Sequence, residues 1–390
     1  MSARSKRTIR EFRAPDEVGA EDRAWGFLRE AYREREPVVA RRPRWRLALA
    51  PAIAVIIAAL ALSPAGASVR RFVTKALGEQ HAAPALFALP SPGRVLVSGP
   101  GGTWIASADG STRRLGSWTQ ASWSPHGLFV AVTAGDRLAA VDPHGTVRWA
   151  LARPAVSDPT WYSPSGYRVA YLSAGTLRVV DGDGTGDRLL ATGAASVAPA
   201  WRPGQALGPF ELAYVTARGR VVVRDGDTGK IVWSAPHGPR PHELMWSADG
   251  RRLLALSART ARVYAANGRL ITKLTLPAGA AAGDGALSPD GRNLALVLGG
   301  REVVLAGAGS SRPSTRQVLG GIAVQQLSWS PDGQWLLVSS PAANQWVFVR
   351  IAGTPRVAAV SRIAQQFSSG TAEGFPRLEG WCCTARGQAG

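Results

Sequence analysis

Cysteine and lysine are scarce in this 390-residue sequence, and the motifs that mark common enzyme classes are absent. The only two cysteines are adjacent, which excludes a disulfide scaffold and a four-cysteine zinc site. The five histidines show no His-x-His or His-Glu-x-x-His spacing, and no Gly-x-Ser-x-Gly or glycine-rich phosphate-binding motif occurs. We therefore predict no catalytic, cofactor-binding or metal-binding residue.

The chain carries a formal net charge of +19, from 46 Lys plus Arg against 27 Asp plus Glu. Only four of the basic residues are lysines, and such an excess of arginine, with abundant Ala and Gly, is typical of a GC-rich genome. No basic run is interleaved with aromatic residues, as a groove that stacks bases requires. We therefore expect no nucleic-acid partner.

A stretch of 21 residues without a charge, 47–67, is the only long apolar run. As a helix it can span a hydrocarbon core of about 30 Å. Seven arginines precede it between positions 29 and 46, whereas three basic residues follow it between 70 and 75. This asymmetry predicts a single-pass anchor in a bacterial cell membrane, with a cytoplasmic tail (1–46) and an extracytoplasmic remainder that begins with a stalk (68–84).

A cleaved signal peptide is the alternative for this segment, because Ala65-Gly66-Ala67 fits the small-x-small cleavage pattern. However, 46 residues before the apolar core is far longer than the usual leader. We therefore favour an uncleaved anchor.

The tail contains one amphipathic pattern, over residues 15–36, with Val18, Trp25, Leu28 and Tyr32 at helical spacing. One interpretation is a solvated helix without a partner. The other is a docking helix for a cytoplasmic protein, with Trp25, Leu28 and Tyr32 in contact with it, because a lone helix of this length is marginal in water.

From residue 85 onward one motif recurs, a Trp-Ser-Pro-Asp-Gly segment that combines turn residues with a preceding tryptophan. The glycines of seven copies lie at 93, 127, 166, 204, 250, 291 and 333. Their spacing of 34 to 46 residues is that of a four-stranded propeller blade. Short β-rich runs separate the turns, as in 253–256 and 335–338. We predict an all-β, seven-bladed propeller over 85–384, with six or eight blades as alternatives and a disordered 385–390.

The tryptophan before each turn has a fixed place in the repeat, so packing between blades is a better interpretation than ligand stacking. These residues are Trp123, Trp161, Trp201, Trp246, Trp329 and, near the end of the sequence, Trp381. The first copy lacks a tryptophan, and Trp381 follows the seventh. We therefore predict that residues near 377–384 pair with the first blade and that Trp381 packs between blades 1 and 7.

At these residues the chain resembles the WD-repeat-like propellers of the TolB type. It also resembles a group of membrane-anchored bacterial envelope propellers that end in a Gly-Trp-Cys-Cys segment, here 380–383. Two stretches, 142–149 and 225–233, resemble quinoprotein-type repeats, but two partial copies do not imply a quinone cofactor. The resemblance implies the fold and leaves the activity open.

Two smaller features leave alternatives open. Residues 181–187 resemble the start of a calcium loop, but Thr192 stands where a bidentate Glu is needed, so a hairpin turn is favoured. Cys382 and Cys383 are compatible with a vicinal disulfide, pairing between chains, or buried thiols.

We expect a non-enzymatic binding or scaffold module that signals to a cytoplasmic protein partner through the tail. The alternative is an extracytoplasmic propeller enzyme, such as a lyase, a glycosidase or a quinoprotein. Carboxylates clustered at one mouth of the channel would favour the enzyme.

Overall fold

A computed structural model describes residues 88–311, 313–369 and 374–383, and these residues form seven four-stranded antiparallel sheets. The predicted all-β, seven-bladed propeller is confirmed. The predicted tail, span and stalk, with residues 384–390, lie outside the described residues.

Blades 2 to 7 are each built from four consecutive strands, and their first strand lies innermost, next to the central channel. The beginning of the domain supplies only the three outer strands of blade 1: β1 (Arg94–Gly99), β2 (Gly102–Ser107) and β3 (Thr112–Gly116). Blade 2 contains β4 (Gln120–Trp123), β5 (Val130–Ala134), β6 (Arg137–Val141) and β7 (Val147–Ala152). Blade 3 contains β8 (Val156–Trp161), β9 (Arg168–Ser173), β10 (Thr176–Asp181) and β11 (Arg188–Thr192).

The second half of the ring repeats this arrangement. Blade 4 contains β12 (Ala200–Trp201), β13 (Glu211–Val215), β14 (Val221–Asp225) and β15 (Ile231–Ser234). Blade 5 contains β16 (Glu243–Trp246), β17 (Arg252–Ser257), β18 (Thr260–Ala265) and β19 (Leu270–Thr275). Blade 6 contains β20 (Ala282–Leu287), β21 (Asn293–Leu298), β22 (Glu302–Gly307) and β23 (Thr315–Gly320). Blade 7 contains β24 (Leu327–Trp329), β25 (Trp335–Ser340), β26 (Gln345–Arg350) and β27 (Val357–Ser361), and is followed by the short helix α1 (Ile363–Gln366).

The ring is closed by the last strand, β28 (Arg377–Cys382), which is the innermost strand of blade 1. It pairs antiparallel with β1, so that Trp381 lies opposite Val95. Ala88 and Leu89 are in no strand, so β28 fills the inner place of blade 1. The predicted closure is confirmed, and it covers the edge of β1 that would otherwise be unpaired.

In blades 2 to 7 the predicted turns lie between the first and second strands, and in blades 2, 5, 6 and 7 the serine of the motif holds the turn together. In blade 5, the Ser247 hydroxyl accepts from the backbone N–H of Arg252 at 3.1 Å. In blade 7, the Ser330 hydroxyl accepts from the N–H of Trp335 at 2.9 Å. The turn therefore satisfies its own backbone groups while it reverses the chain.

Connections alternate between the two ends of the propeller, because neighbouring strands are antiparallel. The turns after the first and third strands of each blade, such as 247–251 and 266–269, lie on one face, which we call the turn face. The turns after the second strands, such as 258–259, and the connections between blades, such as 235–242, lie on the opposite loop face. The described chain begins on the turn face, where the Leu89 N–H donates to the Ala108 carbonyl at 2.8 Å.

The hydrophobic core consists of layers between neighbouring sheets, and we call each such boundary a seam. At the seam between blades 7 and 1, Val95 and Val97 of blade 1 pack with Leu337 and Phe348 of blade 7. Equivalent clusters occupy the other seams. Stability is therefore distributed around the ring, and each blade depends on both neighbours.

Candidate functional site

The innermost strand of every sheet has no partner strand on its channel side, so its N–H groups there require other acceptors. At five seams, a side chain on or next to one inner strand accepts a hydrogen bond from an inner-strand N–H of the next blade. We call these contacts inner-strand clasps. The acceptor and donor residues are Gln120 and Asp158, Glu243 and Gly285, Asp284 and Leu327, Gln326 and Leu378, and Glu379 and Ala121.

The clasp residues have a fixed place in the repeat that sequence reasoning missed. Four of them stand three residues before the tryptophan position: Gln120, Glu243, Asp284 and Gln326. Glu379 stands two residues before Trp381, because a bulge in β28 shifts the pairing with β1. Blade 4 has Ala198 at this place, whose methyl side chain cannot accept a hydrogen bond. A polar residue at the same offset in successive repeats was the signal that could have revealed them.

Glu243 and Asp284 occupy neighbouring clasps and hydrogen-bond each other. Both side chains are half-buried along the channel wall. Burial, and then the neighbouring Asp284, raise the pKa of Glu243 well above its usual range. Burial also raises the pKa of Asp284 to about 6. The geometry therefore favours a protonated Glu243 that shares its proton with Asp284.

Both carboxyl groups also accept a hydrogen bond from a backbone N–H of the next blade. The Gly285 N–H donates to Oε2 of Glu243 at 3.1 Å, and the Leu327 N–H donates to Oδ2 of Asp284 at 2.7 Å. The two carboxyl groups thus hold blades 5, 6 and 7 together at the channel. The neutral amide of Gln326 does the same for blades 7 and 1, where the Leu378 N–H donates to its Oε1 at 2.9 Å.

A second group of carboxylates lies away from the channel and is fully paired with arginines. Asp187 accepts from Arg153 of blade 2 and from Arg178 of its own blade, each at 2.6 Å, and from the Tyr171 hydroxyl at 2.6 Å. Although burial opposes its ionisation, these hydrogen bonds hold the pKa of Asp187 below its usual range. Asp227 of blade 4 is paired with Arg168 and Arg188 of blade 3. These ion pairs join neighbouring blades.

The calcium-like stretch 181–187 is the hairpin turn between β10 and β11, as the favoured interpretation predicted. Asp183 Oδ1 accepts from the N–H of Thr185 at 3.0 Å, and Asp181 pairs with Arg188 at 3.0 Å. Within residues 88–311, 313–369 and 374–383, no group of three or more His, Cys, Asp or Glu is placed to hold a metal ion.

The repeat tryptophans lie in the seams. Trp161, Trp201, Trp246, Trp329 and Trp381 are buried, and each belongs to the cluster that its blade shares with the preceding one. Trp123 is half-buried against the seam between blades 1 and 2. Two of the indoles also bond across their seam: Trp201 donates to the Thr160 carbonyl at 3.1 Å, and Trp329 donates to the Ala286 carbonyl at 3.0 Å.

The two quinoprotein-like stretches end in tryptophans that link the outer parts of neighbouring blades. Trp149 of β7 donates to the Gly182 carbonyl of blade 3 at 2.8 Å. Trp233 of β15 donates to the Ala266 carbonyl of blade 5 at 2.9 Å. Gly184 must lack a side chain here, because a Cβ on it would lie 2.7 Å from the Trp149 ring. The resemblance therefore corresponds to packing between blades.

Cys382 and Cys383, at the end of β28, are joined as a vicinal disulfide. Cys383 Sγ lies 4.0 Å from the Ser124 carbonyl oxygen of the first turn in blade 2. The cysteines therefore stand where the closing strand meets the next blade.

The predicted partner-binding residues Trp25, Leu28 and Tyr32, and the predicted membrane span 47–67, lie outside the described residues. Among the residues that are described, no helix is long and apolar enough to cross a membrane.

Comparison with solved structures supports the fold. The chain resembles the β-propeller domain of Cps50 (Swd1) from Myceliophteria thermophila, with a TM-score of 0.55 and 18% identity over 66% of this chain and 95% of that one. Kuenenia stuttgartiensis hydrazine synthase matches with a TM-score of 0.50 and 14% identity, over 62% of this chain and 86% of that one. No family model matches, and no curated protein matches. The domain is a seven-bladed propeller that resembles WD40-type propellers, and identities this low show the fold alone.

Proposed function

We propose that the chain is a non-enzymatic binding or scaffold module of the TolB-like kind, anchored in a bacterial cell membrane by residues 47–67. The observation that carries the proposal is the use of the channel carboxyl groups. Glu243, Asp284 and Glu379 would be the acids and bases of a propeller enzyme, yet each accepts a backbone N–H of the next blade. Such bonds hold the ring together and leave the outer faces for binding.

The anchor and the tail complete this proposal. The uncharged stretch 47–67 and the arginines before it support an N-terminus in the cytoplasm and a propeller outside the membrane. Trp25, Leu28 and Tyr32 on one side of a short helix support a protein partner for the tail. In this arrangement, a ligand bound outside is coupled to a protein inside.

A propeller enzyme is the second candidate, and one observation favours it. Glu243 and Asp284 form a proton-sharing carboxyl pair at the channel, as pairs of acids do in glycosidases and other hydrolases. In this candidate the pair would transfer protons in addition to its role between blades.

Co-purification with the detergent-solubilised full-length chain tests the two candidates against each other. We expect a defined set of proteins with the wild type. The double variant Trp25→Ala/Leu28→Ala should lose the tail's partner, because its apolar contacts are removed, whereas Glu243→Gln/Asp284→Asn should retain the whole set. Turnover of chromogenic glycosides that disappears in Glu243→Gln/Asp284→Asn would replace the binding function with the enzyme. An identical set for all three chains would contradict the docking role of the tail.

A further inference from the structure

Apart from Glu243, which is engaged in a clasp at the channel, the loop face at blades 4 and 5 carries cations without carboxylates. Residues 228–242 and 250–283 contain no Asp or Glu, although they include eight Lys or Arg residues. Four of these eight lie in or near the loop-face connections, and Arg218 and Arg220 lie on the same face in the turn 216–220 of blade 4. Together they form what we call the cationic arc: Arg218, Arg220, Arg240, Arg259, Arg262 and Lys273. Within the described part of the chain, none of the six forms an ion pair with a carboxylate.

Two contacts join the 216–220 turn of blade 4 to the connection 235–242 that leads into blade 5, and a third lies within blade 5. The backbone of Gly219, between Arg218 and Arg220, packs closely on Arg240. A Cβ added to Gly219 would lie only 3.1 Å from the Arg240 Cβ. Arg220 lies 2.7 Å from His237 Nε2. Lys273 of β19 stands directly opposite Arg262 of β18. The arc is therefore one surface that combines two blades.

Arg262 is the most informative member, because it is only 6% exposed and has no carboxylate partner among the described residues. Its Nη2 donates to the Pro239 carbonyl at 2.6 Å, and its Nε has no hydrogen-bond acceptor in the described chain. A buried guanidinium normally requires a counter-charge, since removing it from water is costly. Here Arg262 lies directly beneath the connection 237–242 and adds its charge to the exposed cations above.

We propose that the cationic arc binds a protein segment rich in aspartate or glutamate, which supplies the carboxylates that this surface lacks. This inference rests on the binding function proposed above and identifies its surface. Arginine forks suit carboxylates, and their spread over two blades suits an extended chain better than a single ion.

Two other polyanions fit the surface less well. A lipid surface would require exposed apolar side chains to insert, but the exposed large hydrophobic residues of the described chain lie in turns or at strand ends toward the turn face: Leu128, Val147, Tyr167, Leu189, Leu207, Ile231, Val232 and Leu270. Single-stranded nucleic acid would require exposed aromatic rings for stacking, and the one exposed aromatic among these, Tyr167, belongs to the turn face of blade 3.

The test compares two charge-reversed variants of the full-length chain in detergent. The arc variant carries Arg218→Glu, Arg240→Glu and Lys273→Glu. The matched control carries Arg251→Glu, Arg269→Glu and Arg316→Glu, three exposed cations near the turn face that also lack ion pairs in the described chain. Both variants have the same net charge, so any difference between them reports position. Equal melting temperatures would verify that both fold.

Binding of a fluorescein-labelled oligoglutamate peptide is measured by anisotropy at several salt concentrations. We expect saturable, salt-sensitive binding to the wild type, a loss of about tenfold or more in the arc variant, and a change within about twofold in the control. Equal losses in both variants, or no binding to the wild type, would overturn the proposal. Tighter arc-dependent binding of oligothymidylate or of phosphatidylglycerol vesicles would also overturn it, in favour of that ligand.

The same variants separate failure of the arc from failure of the binding function. If the wild type and the arc variant co-purify the same proteins, the arc is the wrong surface while the module still binds. If the wild type co-purifies none, the proposed function itself is wrong.

Discussion

The seam between blades 7 and 1 and the seam between blades 4 and 5 share a tryptophan contact but differ in their polar groups. At the closing seam, Trp381 packs on Phe348, the Trp381 backbone N–H donates to the Ser328 hydroxyl at 3.1 Å, and Gln326 forms a clasp with Leu378. At the other seam, Trp246 is buried in the same manner, but no inner-strand clasp is present among the described residues there. At the second seam the polar contacts lie away from the inner strands, as in the bond from the Trp233 indole to the Ala266 carbonyl, and the cations of the arc have no carboxylate partner in the described chain.

This difference suggests how a repeat protein divides its seams between stability and binding. The repeat supplies a tryptophan to six of the seven seams and Leu287 to the seam between blades 5 and 6, so a seam can lack a clasp and still be closed. Blade 4 has Ala198 at the clasp position, and its seam with blade 5 carries cations that lack carboxylate partners in the described chain. We infer that the clasped seams hold the ring and that the seam between blades 4 and 5 is available to a partner.

Among the variants that test this comparison, removal of the closing strand should change the free energy of unfolding most. Truncation after Pro376 deletes β28, Trp381 and the clasps made by Leu378 and Glu379. Burial of one large aromatic side chain and one six-residue strand is lost, so we expect unfolding to become easier by about 5 kcal/mol or more. Thermal and urea denaturation would measure the loss.

The matched control is truncation after Cys383, which leaves all described residues in place. It should melt within a few degrees of the full chain. If the protein truncated after Pro376 melts at the same temperature as this control, the closing strand contributes no measurable stability, and the comparison between the seams fails.

A smaller effect is expected from Asp187→Asn, which leaves two arginines of the seam between blades 2 and 3 without their carboxylate. The Asp187 side chain is 7% exposed, and Arg178 beside it is 19% exposed, so solvent replaces the lost charge poorly. We expect a loss of about 2–3 kcal/mol above pH 5 in urea denaturation. Because the pKa of Asp187 is lowered in the folded state, its contribution is present above the unfolded pKa of about 4 and disappears as the pH falls through the folded value.

Asp183→Asn is the control, because Asp183 lies exposed in the same turn and bonds to Thr185 within that turn. It should cost less than about 1 kcal/mol. Similar losses for both variants would show that the turn, and not the charge pairs between blades, determines the stability.

The sequence predicted the architecture well, because the fold repeats a local signal. The Trp-Ser-Pro-Asp-Gly spacing indicated seven blades, and Trp381 after the seventh copy indicated the closure. Both depend on residues that are close in the chain or related by the repeat.

The clasps and the ion pairs were missed for a different reason. Glu243 reaches Gly285, and Arg153 reaches Asp187, only after two blades have packed side by side. The bulge that brings Glu379 to the clasp position also shortens its spacing from the repeat tryptophan from three residues to two. The cationic arc is likewise visible only when the two faces of the propeller are known, since cations for both faces alternate along the chain.

The smallest predicted effect distinguishes charged clasps from neutral ones. The folded pKa of Asp284, raised to about 6, lies above its unfolded value of about 4, so the folded state holds the proton more tightly. This group therefore favours folding at low pH, and stability falls as the pH rises from about 4 through 6. Asn at this position is neutral at every pH, and its carbonyl oxygen can still accept the Leu327 N–H. We expect Asp284→Asn to equal or exceed the wild type by about 1 kcal/mol at pH 8 and to flatten the decline between pH 4 and 7, measured by urea denaturation. The reciprocal variant, Gln326→Glu, places a carboxyl group in the neutral clasp and should introduce a decline in the same direction. If Asp284→Asn instead loses stability at pH 8, the ionised carboxylate stabilises this seam better than a neutral amide does, and the distinction between the two kinds of clasp is wrong.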